Sequence, residues 1–275
     1  MSSTVPGLMD FRGRRVVITG AASGIGAATA ARLVEHGAHV HALDIGPVES
    51  AVSYHQVDLG QQASIDAAVA TLPAEIDVVM NCAGVPNGGR FGPAEVMAVN
   101  WLGLRHLTEQ LLPRIPSGGA VVHIASTAGR AWPERRTELE ALMAAGTFDA
   151  GAAWVDANLG TCGDGYAFSK EAVQYYTLWR AVQLLPTGVR MNSVCPGVTA
   201  TRIVPDFRRG LGDELIDHAQ AVAGRMAEPE EMAPAMLFLA DHASSSYLNG
   251  VNLNIDRGTA AARLTDQSDP ATIWG

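Results

Sequence analysis

The sequence predicts an α/β protein: a doubly wound parallel sheet in one domain. Three observations carry that expectation. Short apolar runs alternate with helix-spaced stretches from Arg15 to Ile255, and such alternation builds a parallel sheet covered on both faces through right-handed crossovers. A glycine-bearing turn, Thr19 to Gly26, separates the first run from the first helical stretch. The 275 residues contain no repeat, low-complexity tract or linker, and α/β sheets often reach this length as one unit.

The elements follow in order. Arg15 to Thr19 (RVVIT) is too short for a helix and reads as the first strand, and Ile25 to His36 follows with helical spacing and many alanines. His39 to Leu43, ending in Asp44, completes a βαβ unit of about thirty residues. Tyr54 to Val57 reads as a short strand before Asp58, and Ala63 to Leu72 as a helix. Ile76 to Met80 is an apolar strand entering Asn81-Cys82-Ala83-Gly84, and Ala94 to Ile115 is one long helical stretch closed by Pro116-Ser117-Gly118-Gly119. Ala120 to Ile124 is a strand, Gly165 to Leu185 a helix, and Val189 to Val194 a strand before Cys195-Pro196-Gly197. Glu230 to Asp241 reads as a helix and Val251 to Ile255 as the last strand.

Two segments interrupt the alternation. Residues 127–164 intervene between a strand and its helix, with a helix-favouring part from Glu134 to Ala145, and residues 198–228 are polar and glycine-bearing. Long insertions at the carboxyl ends of strands usually cover ligand sites. The first is therefore read as a substrate-covering insertion and the second as a lid; an ornamental surface loop is the alternative. Residues 259–275 form a tail.

Composition narrows the function classes. Hydrophobic residues make up 48%, enough for a sizeable core, and the net charge is −9. An acidic surface disfavours nucleic acid and anionic membrane as partners. Cys82, Cys162 and Cys195 are far apart and in no CxxC pair, against a disulfide framework or zinc site and in favour of a reducing compartment. No apolar run approaches the ~20 residues of a membrane span. Met1 to Asp10 has neither a basic region nor a hydrophobic stretch, so no secretory signal is expected. A cytoplasmic protein is the expectation.

The turn TGAASGIG places glycines at 20, 24 and 26. Gly20 permits the turn out of the strand, Gly24 lets backbone approach a phosphate, and Gly26 lets helix and strand pack closely. Exposed N–H groups and the positive helix end then hold a pyrophosphate, as in a Rossmann-type fold. Asp44 lies where an acidic residue meets an adenosine ribose; a loop carboxylate is its other reading. A 2′-phosphate would face that carboxylate at a cost of ~4 kcal/mol per charge pair at ~4 Å and an effective dielectric near 20, before screening. No Arg or Lys lies in the glycine turn or just after Asp44, so NAD is expected over NADP. Asp58 could hydrogen-bond an adenine amino group or cap the next helix, and Asn81 to Gly84 could lay backbone against the cofactor or form a plain turn.

Tyr166 and Lys170 are four apart in an expected helix and share a face. A phenol is a poor base near pH 7 because its pKa is about 10. An ammonium ~5 Å away contributes ~3 kcal/mol, roughly two pKa units, which makes tyrosine beside lysine a workable proton acceptor. Alone the pair proves little. Ser126 ends the Ala120 to Ile124 strand and supplies a hydroxyl at the sheet edge. Asn100, poorly suited to a helix interior, faces solvent or bends the helix and holds a water for proton exchange.

Together these residues resemble the short-chain dehydrogenase/reductase family of the single-domain type, and the resemblance covers nearly the whole chain. TGAASGIG resembles the family's TGxxxGIG, and Asn81-Cys82-Ala83-Gly84 its Asn-Asn-Ala-Gly with one substitution. Asn100, Ser126, Tyr166 and Lys170 fall in order on the four catalytic positions, and Cys195-Pro196-Gly197 with Thr199 and Thr201 resembles the segment that closes over the nicotinamide. The resemblance implies that Tyr166 is the general base in oxidation and the acid in reduction. Ser126 would hold the reacting oxygen, and Lys170 would bind the nicotinamide ribose and lower the tyrosine pKa. Asn100 would anchor the water linking Lys170 to solvent, and backbone at Val198 would orient the carboxamide. The implied cofactor contacts are Gly20, Ser23, Gly24, Ile25, Gly26, Asp44, Asp58, Leu59, Asn81, Ala83, Gly84, Tyr166, Lys170, Pro196, Gly197, Val198, Thr199 and Thr201. Closer similarity is to a subgroup with a long insertion before the tyrosine, which includes bacterial coniferyl alcohol dehydrogenases and 3α-hydroxysteroid dehydrogenase/carbonyl reductases. Residues 100–109 (NWLGLRHLTE) and 129–135 (GRAWPER) support it. The implied substrate is a small-molecule alcohol or ketone, bulky and hydrophobic, aromatic or steroid-like, and the implied assembly a homotetramer or homodimer.

The sequence departs from the family at Cys82 and at Asp256-Arg257-Gly258, where Arg257 replaces a small residue. Some features are discounted. His39 and His41 share a strand face but lack the further ligands a metal needs. Met226, Met232 and Met236 read as packing beneath the lid and a helix. Trp132 and Trp154 line an apolar pocket or simply pack the insertion. Two rival functions differ in class: a non-catalytic dinucleotide-sensing protein, and a sugar epimerase or dehydratase, which has a larger C-terminal domain and a different glycine spacing.

Overall fold

Burial along the strands decides the layering. In the first strand, β1 (Arg15–Thr19), Val16 and Ile18 join one buried cluster and Val17 the other, the two-residue period of an extended chain. The computed structural model describes residues 9–48 and 53–274, so residues 1–8 of the leader read for a secretory signal lie outside the described residues.

After β1 come α1 (Gly24–Glu35), β2 (His39–Asp44), β3 (Ser53–Gln56), α2 (Gln62–Thr71) and β4 (Val78–Asn81). A long helix follows in three pieces: α3 (Pro93–Met97), a π-helical turn (Ala98–Gly103) and α4 (Leu104–Leu111). Then come β5 (Ala120–Ile124), α5 (Arg136–Ala144), α6 (Phe148–Ala157), α7 (Leu159–Cys162), α8 (Tyr166–Leu184) and β6 (Arg190–Pro196). The chain ends with α9 (Val204–Leu211), α10 (Asp213–Ala223), α11 (Ala233–Ala240), α12 (His242–Ser245), β7 (Asn252–Ile255), α13 (Thr259–Leu264) and α14 (Pro270–Trp274).

All seven strands pair in parallel, in the order β3-β2-β1-β4-β5-β6-β7. The expected doubly wound α/β sheet is therefore present in a single domain. One face is filled from α2, α4 and α8 by residues such as Ile65, Leu107 and Tyr176, the other from α1 and α11 by Leu33, Met236 and Leu237. Chain order reverses between β1 and β4, which opens a crevice at the carboxyl ends of the strands.

Three elements differ from the sequence expectation. The expected continuous helix from Ala94 to Ile115 contains the π turn, with Asn100 inside it. At its end a Cβ on Gly103 would lie 2.0 Å from the Leu59 carbonyl oxygen; backbone passes backbone there, and the helix accommodates it with a locally wider turn. The helix expected from Glu230 begins at Ala233 instead, after a 3₁₀ turn over Pro229–Glu231. Pro234, which lacks an N–H, falls in the first turn, where that donor has no helical partner anyway.

The third difference is the insertion: only its first residues, Thr127, Ala128 and Arg130, reach the main cavity, and its helices lie elsewhere. Its helices pack on the outer side of α8: Trp154 stacks on Phe168 at 6.0 Å, the Arg135 guanidinium lies 4.4 Å over the same ring, and Leu139, Leu142 and Val155 are buried in the core. Apolar burial beside α8 wins over reach across the crevice. Trp132 packs against Tyr175 at 5.9 Å. Met232 and Met236 are core residues of the α11 face. Among the described residues no helix is long and apolar enough to cross a membrane, and no group of three or more His, Cys, Asp or Glu could hold a metal.

Candidate active site

A cavity of about 930 Å³ runs along the carboxyl edge of the sheet. Its wall takes Gly20, Ser23, Gly24, Ile25 and Gly26 from the turn between β1 and α1, Asp44 from the end of β2, and Asp58 and Leu59 from beyond β3. Ala83 and Gly84 follow β4, Ser126 follows β5, and β6 ends in Pro196, with Gly197, Val198, Thr199 and Thr201 beyond it; Tyr166 and Lys170 come from α8. Every expected site residue except Asn81 and Asn100 shares this wall.

The glycine turn is built by close approach. Gly20 has φ +71° and a Cβ there would lie 2.8 Å from Ala83 backbone, while a Cβ on Gly26 would lie 2.1 Å from the Gly20 carbonyl oxygen. The N–H groups of Cys82 and Ala83 both donate to Thr19 Oγ1 at 3.1 Å, which ties the turns after β1 and β4 together. Asp44 braces the same region: its Oδ2 accepts from Ala22 N–H and its Oδ1 from Gly46 N–H, each at 3.0 Å. A Cβ on Gly24 would lie 3.3 Å from the Thr201 methyl, so the turn is a shallow cradle that side chains would fill. With the open N-terminus of the twelve-residue α1 behind it, the arrangement fits a dinucleotide pyrophosphate. Asp58 lines the cavity and also holds its own turn, accepting from Gly60 N–H at 2.8 Å; the cap position of α2 is Gln61, so Asp58 does not cap that helix.

At the other end, α8 starts where Gly165, at φ +81°, passes 2.6 Å (from a would-be Cβ) from the Pro93 carbonyl. Asp164 Oδ1 accepts from Tyr166 N–H at 2.9 Å and fixes the first turn. Lys170 is buried, its Nζ donates to the Ile124 carbonyl at 3.0 Å, and it lies 5.8 Å from the Tyr166 ring centre. Burial pushes the ammonium down to about 8. Burial likewise pushes the Tyr166 phenol up to about 12, opposed by a hydrogen bond with Ser126. The direction differs from the lowering expected of Lys170: burial is the largest influence on the phenol and the Asp164 charge raises it further. Ser126 Oγ accepts from Ala128 N–H at 3.1 Å, which starts a 3₁₀ turn over Thr127–Ala131.

Asn81 and Asn100 stand behind the wall. Asn81 is fully buried, and its Nδ2 donates to Thr108 Oγ1 at 2.9 Å and to His123 Nδ1 at 3.0 Å; its side chain braces β4 against β5 and does not face the cavity. Burial holds the His123 ring down to about 3, so it is neutral. Asn100 does not face solvent: it is fully buried in the π turn. Val85 N–H donates to its Oδ1 at 2.7 Å, and its Nδ2 donates to the Val85 carbonyl at 2.9 Å and to Ser169 Oγ at 3.3 Å. Both side-chain donor hydrogens are taken, so Asn100 clamps the loop after Gly84 onto α8.

The lid contributes residues that the sequence did not single out. Phe207 on α9 meets the Tyr166 ring edge-on at 4.7 Å, and Leu215, Ile216 and Val222 on α10 form an apolar stretch of the wall. Gly88 and Gly210 let α9 seat against the loop after β4, since a Cβ on Gly88 would lie 2.2 Å from Gly210 N. Only the spacing of apolar residues in the lid hinted at any of this. Of the insertion, only Thr127, Ala128 and Arg130 reach the main cavity.

The short chain dehydrogenase family model matches residues 14–137, and the enoyl-(acyl carrier protein) reductase model matches residues 155–260. A coniferyl-alcohol dehydrogenase of Pseudomonas sp. (strain HR199 / DSM 7063) is 37% identical over 92% of this chain and 99% of its own. A 3-alpha-hydroxysteroid dehydrogenase/carbonyl reductase of Comamonas testosteroni is 33% identical over 92% of this chain and 98% of its own. The solved structure of a 3-alpha-hydroxysteroid dehydrogenase from Pseudomonas sp. B-0831, complexed with NADH, is similar with a TM-score of 0.77 at 28% identity, covering 92% of this chain and 99% of that one.

Proposed function

The chain belongs to the short-chain dehydrogenase/reductase family, a nicotinamide-dependent alcohol/carbonyl oxidoreductase by its relatives, and from that premise we propose that it uses NAD and acts on a bulky hydrophobic, aromatic or steroid-like alcohol or the matching carbonyl compound. The observation that carries the reading is one wall holding Ser126, Tyr166 and Lys170 together with the glycine turn and Asp44.

In this reading each residue of the wall has its own task. Ser126 donates to the reacting oxygen and keeps it at the phenol. Tyr166 accepts the hydroxyl proton in oxidation and returns it in reduction. Lys170, fixed by the Ile124 carbonyl, directs its remaining N–H bonds to the ribose and lends positive charge to the phenolate. When bound, oxidised nicotinamide supplies the hydride acceptor and a further positive charge beside the phenol. Gly20, Ser23, Gly24, Ile25 and Gly26 hold the pyrophosphate, Asp44 the ribose hydroxyls, and Asp58 and Leu59 the adenine. Ala83, Gly84 and the segment from Pro196 to Thr201 hold the nicotinamide half, with Asn81 and Asn100 acting from behind as braces. A cytoplasmic homotetramer or homodimer is part of the same reading.

The phenol stays protonated through neutral pH because burial raises it, so the acid needed for carbonyl reduction is present there. The base needed for oxidation is formed only as pH rises. Oxidation measured by rapid mixing under conditions where chemistry limits should therefore accelerate from pH 6 to 9, by up to about tenfold per unit at first, until the coupled tyrosine–lysine pair has titrated. A flat profile counts against Tyr166 as the base.

Cofactor choice rests on Asp44. Asp44→Asn keeps the shape and an acceptor for the glycine turn but removes the charge that a 2′-phosphate would meet. It is expected to narrow the NAD-over-NADP ratio of kcat/KM by about tenfold or more, a fraction of the ~4 kcal/mol unscreened repulsion. Comparable efficiency of the unaltered enzyme with both cofactors defeats the NAD assignment. A panel of aromatic alcohols and hydroxysteroids, followed by reduced-nicotinamide absorbance, tests the activity itself. Silence across the panel with NAD binding intact favours a dinucleotide sensor.

A further inference from the structure

Arg130 and Arg263 share a cavity wall although they lie far apart in the chain. Arg130 sits on the 3₁₀ turn that Ser126 opens, and Arg263 on α13 in the tail. Both line the main cavity, and both also line an adjoining cavity of about 460 Å³. Among the described residues neither guanidinium has a carboxylate within 4.0 Å or a hydrogen bond to one. The other cationic side chains of the wall are differently placed: Arg209 is paired with Asp206, and Arg90 lies 4.8 Å over the Phe91 ring. Arg202 follows Thr201, which faces Gly24, and so belongs to the dinucleotide end.

The nearby acids, Asp256 and Glu171, act on Arg263 and Arg130 through their charge but make no ion pair with them. Asp256 braces the turn into α13, accepting from Gly258 N–H at 3.0 Å and Ala260 N–H at 2.7 Å. Glu171 is buried against Arg135 at 3.6 Å, and Glu134 lines the smaller cavity. Both arginine side chains are exposed at the cavity rim; burial and the neighbouring Arg130 lower the Arg263 pKa, and Asp256 raises it. In a chain of net charge −9, two guanidiniums on one wall with no carboxylate in hydrogen-bond contact are a local arrangement, and their planar forks match a carboxylate.

Distance sets the ligand's length. Arg130 is four residues beyond Ser126 on the same turn, about 8 Å at the 3₁₀ rise, with the apolar side chains of α10 also on the cavity wall. Resting on the oxidoreductase reading above, we propose that the substrate carries a carboxylate at the end remote from its carbinol carbon, across an aromatic or alicyclic body, and that Arg130 and Arg263 hold it.

The test compares 4-(hydroxymethyl)cinnamate with its methyl ester, using NAD, in the unaltered enzyme, in Arg130→Gln, in Arg263→Gln and in the double variant. The acid is expected to exceed the ester at least tenfold in kcat/KM, mainly through KM. The double variant is expected to bring that ratio to about one, with the Kd for NAD kept. Equal kcat/KM for acid and ester in the unaltered enzyme overturns the proposal. So does a double variant whose Kd for NAD rises in step, because the anion would then be a cofactor phosphate. Calorimetric titration of the enzyme–NADH complex with cinnamate and methyl cinnamate decides the matter without turnover: tighter cinnamate binding, lost in the double variant, supports the carboxylate site, and equal or absent binding sinks it. Failure of a broad neutral-alcohol panel would instead strike the oxidoreductase reading, so the two failures are separable.

Discussion

Tyr166→Phe is expected to lower turnover by about 10²-fold or more, the usual scale for a positioned acid–base group, while dinucleotide binding is kept. The substitution removes one oxygen and leaves the ring. That ring is buried and packs edge-on against Phe207 at 4.7 Å, so the lid contact and the start of α8 persist. Lys170 keeps its bond to the Ile124 carbonyl, and Ser126 keeps its place at the head of the 3₁₀ turn. Only the proton carrier is lost. The effect should fall on kcat, with the Kd for NAD unchanged by titration. Tyr175→Phe, on the same helix, is the control: its hydroxyl bonds Glu140 at 3.0 Å on the insertion side and should leave kcat within about twofold. Full activity in Tyr166→Phe would remove that residue from the mechanism.

What could be read from the sequence was whatever local spacing carries. The strand runs were legible because a parallel strand buried on both faces is a short apolar run, as RVVIT and AVVHI are. Tyr166 and Lys170 were legible as a pair because four residues is one helical turn. The glycine turn was legible because only glycine tolerates approaches such as the one at Gly26. The rest depends on contacts between distant segments. Asn100 was legible as a polar residue in a helix that needs some partner, but that its side chain bonds the Val85 backbone, fifteen residues earlier, no local spacing shows. The insertion looked like a cover because of where it leaves the sheet; its first residues do reach the cavity, but that its helices settle on Phe168 and the core beside α8 no local pattern shows. Nor does any local pattern tell that Arg130 and Arg263 will share a wall. The upward push of burial on the phenol was not legible either, because a pairwise count of charges omits the water that folding removes.

Gly26→Ala should be damaging out of proportion to one methyl group. The added carbon would lie 2.1 Å from the Gly20 carbonyl oxygen, 2.6 Å from its carbon and 3.1 Å from the Thr19 carbonyl oxygen. All three are backbone atoms of the strand end and turn, so no side chain can swing aside. The conflict is relieved only by moving α1 off β1, which opens a packed interface; overpacking of this kind costs about 1–3 kcal/mol. At about 2–4 °C per kcal/mol for a domain near this size, the melting temperature should fall by roughly 2–12 °C. The same displacement carries the N–H groups at the start of α1 away from where a pyrophosphate would sit, so the Kd for NAD should rise at least tenfold even below the melting point. Gly160→Ala supplies the contrast. That glycine lies in α7 with nothing within 4 Å of a would-be Cβ, and alanine there should leave NAD binding unchanged and stability equal or slightly higher. If Gly26→Ala bound NAD and melted as the unaltered protein does, close helix–strand contact would not be what shapes the cradle, and the reading of the glycine turn as a phosphate site would fall with it.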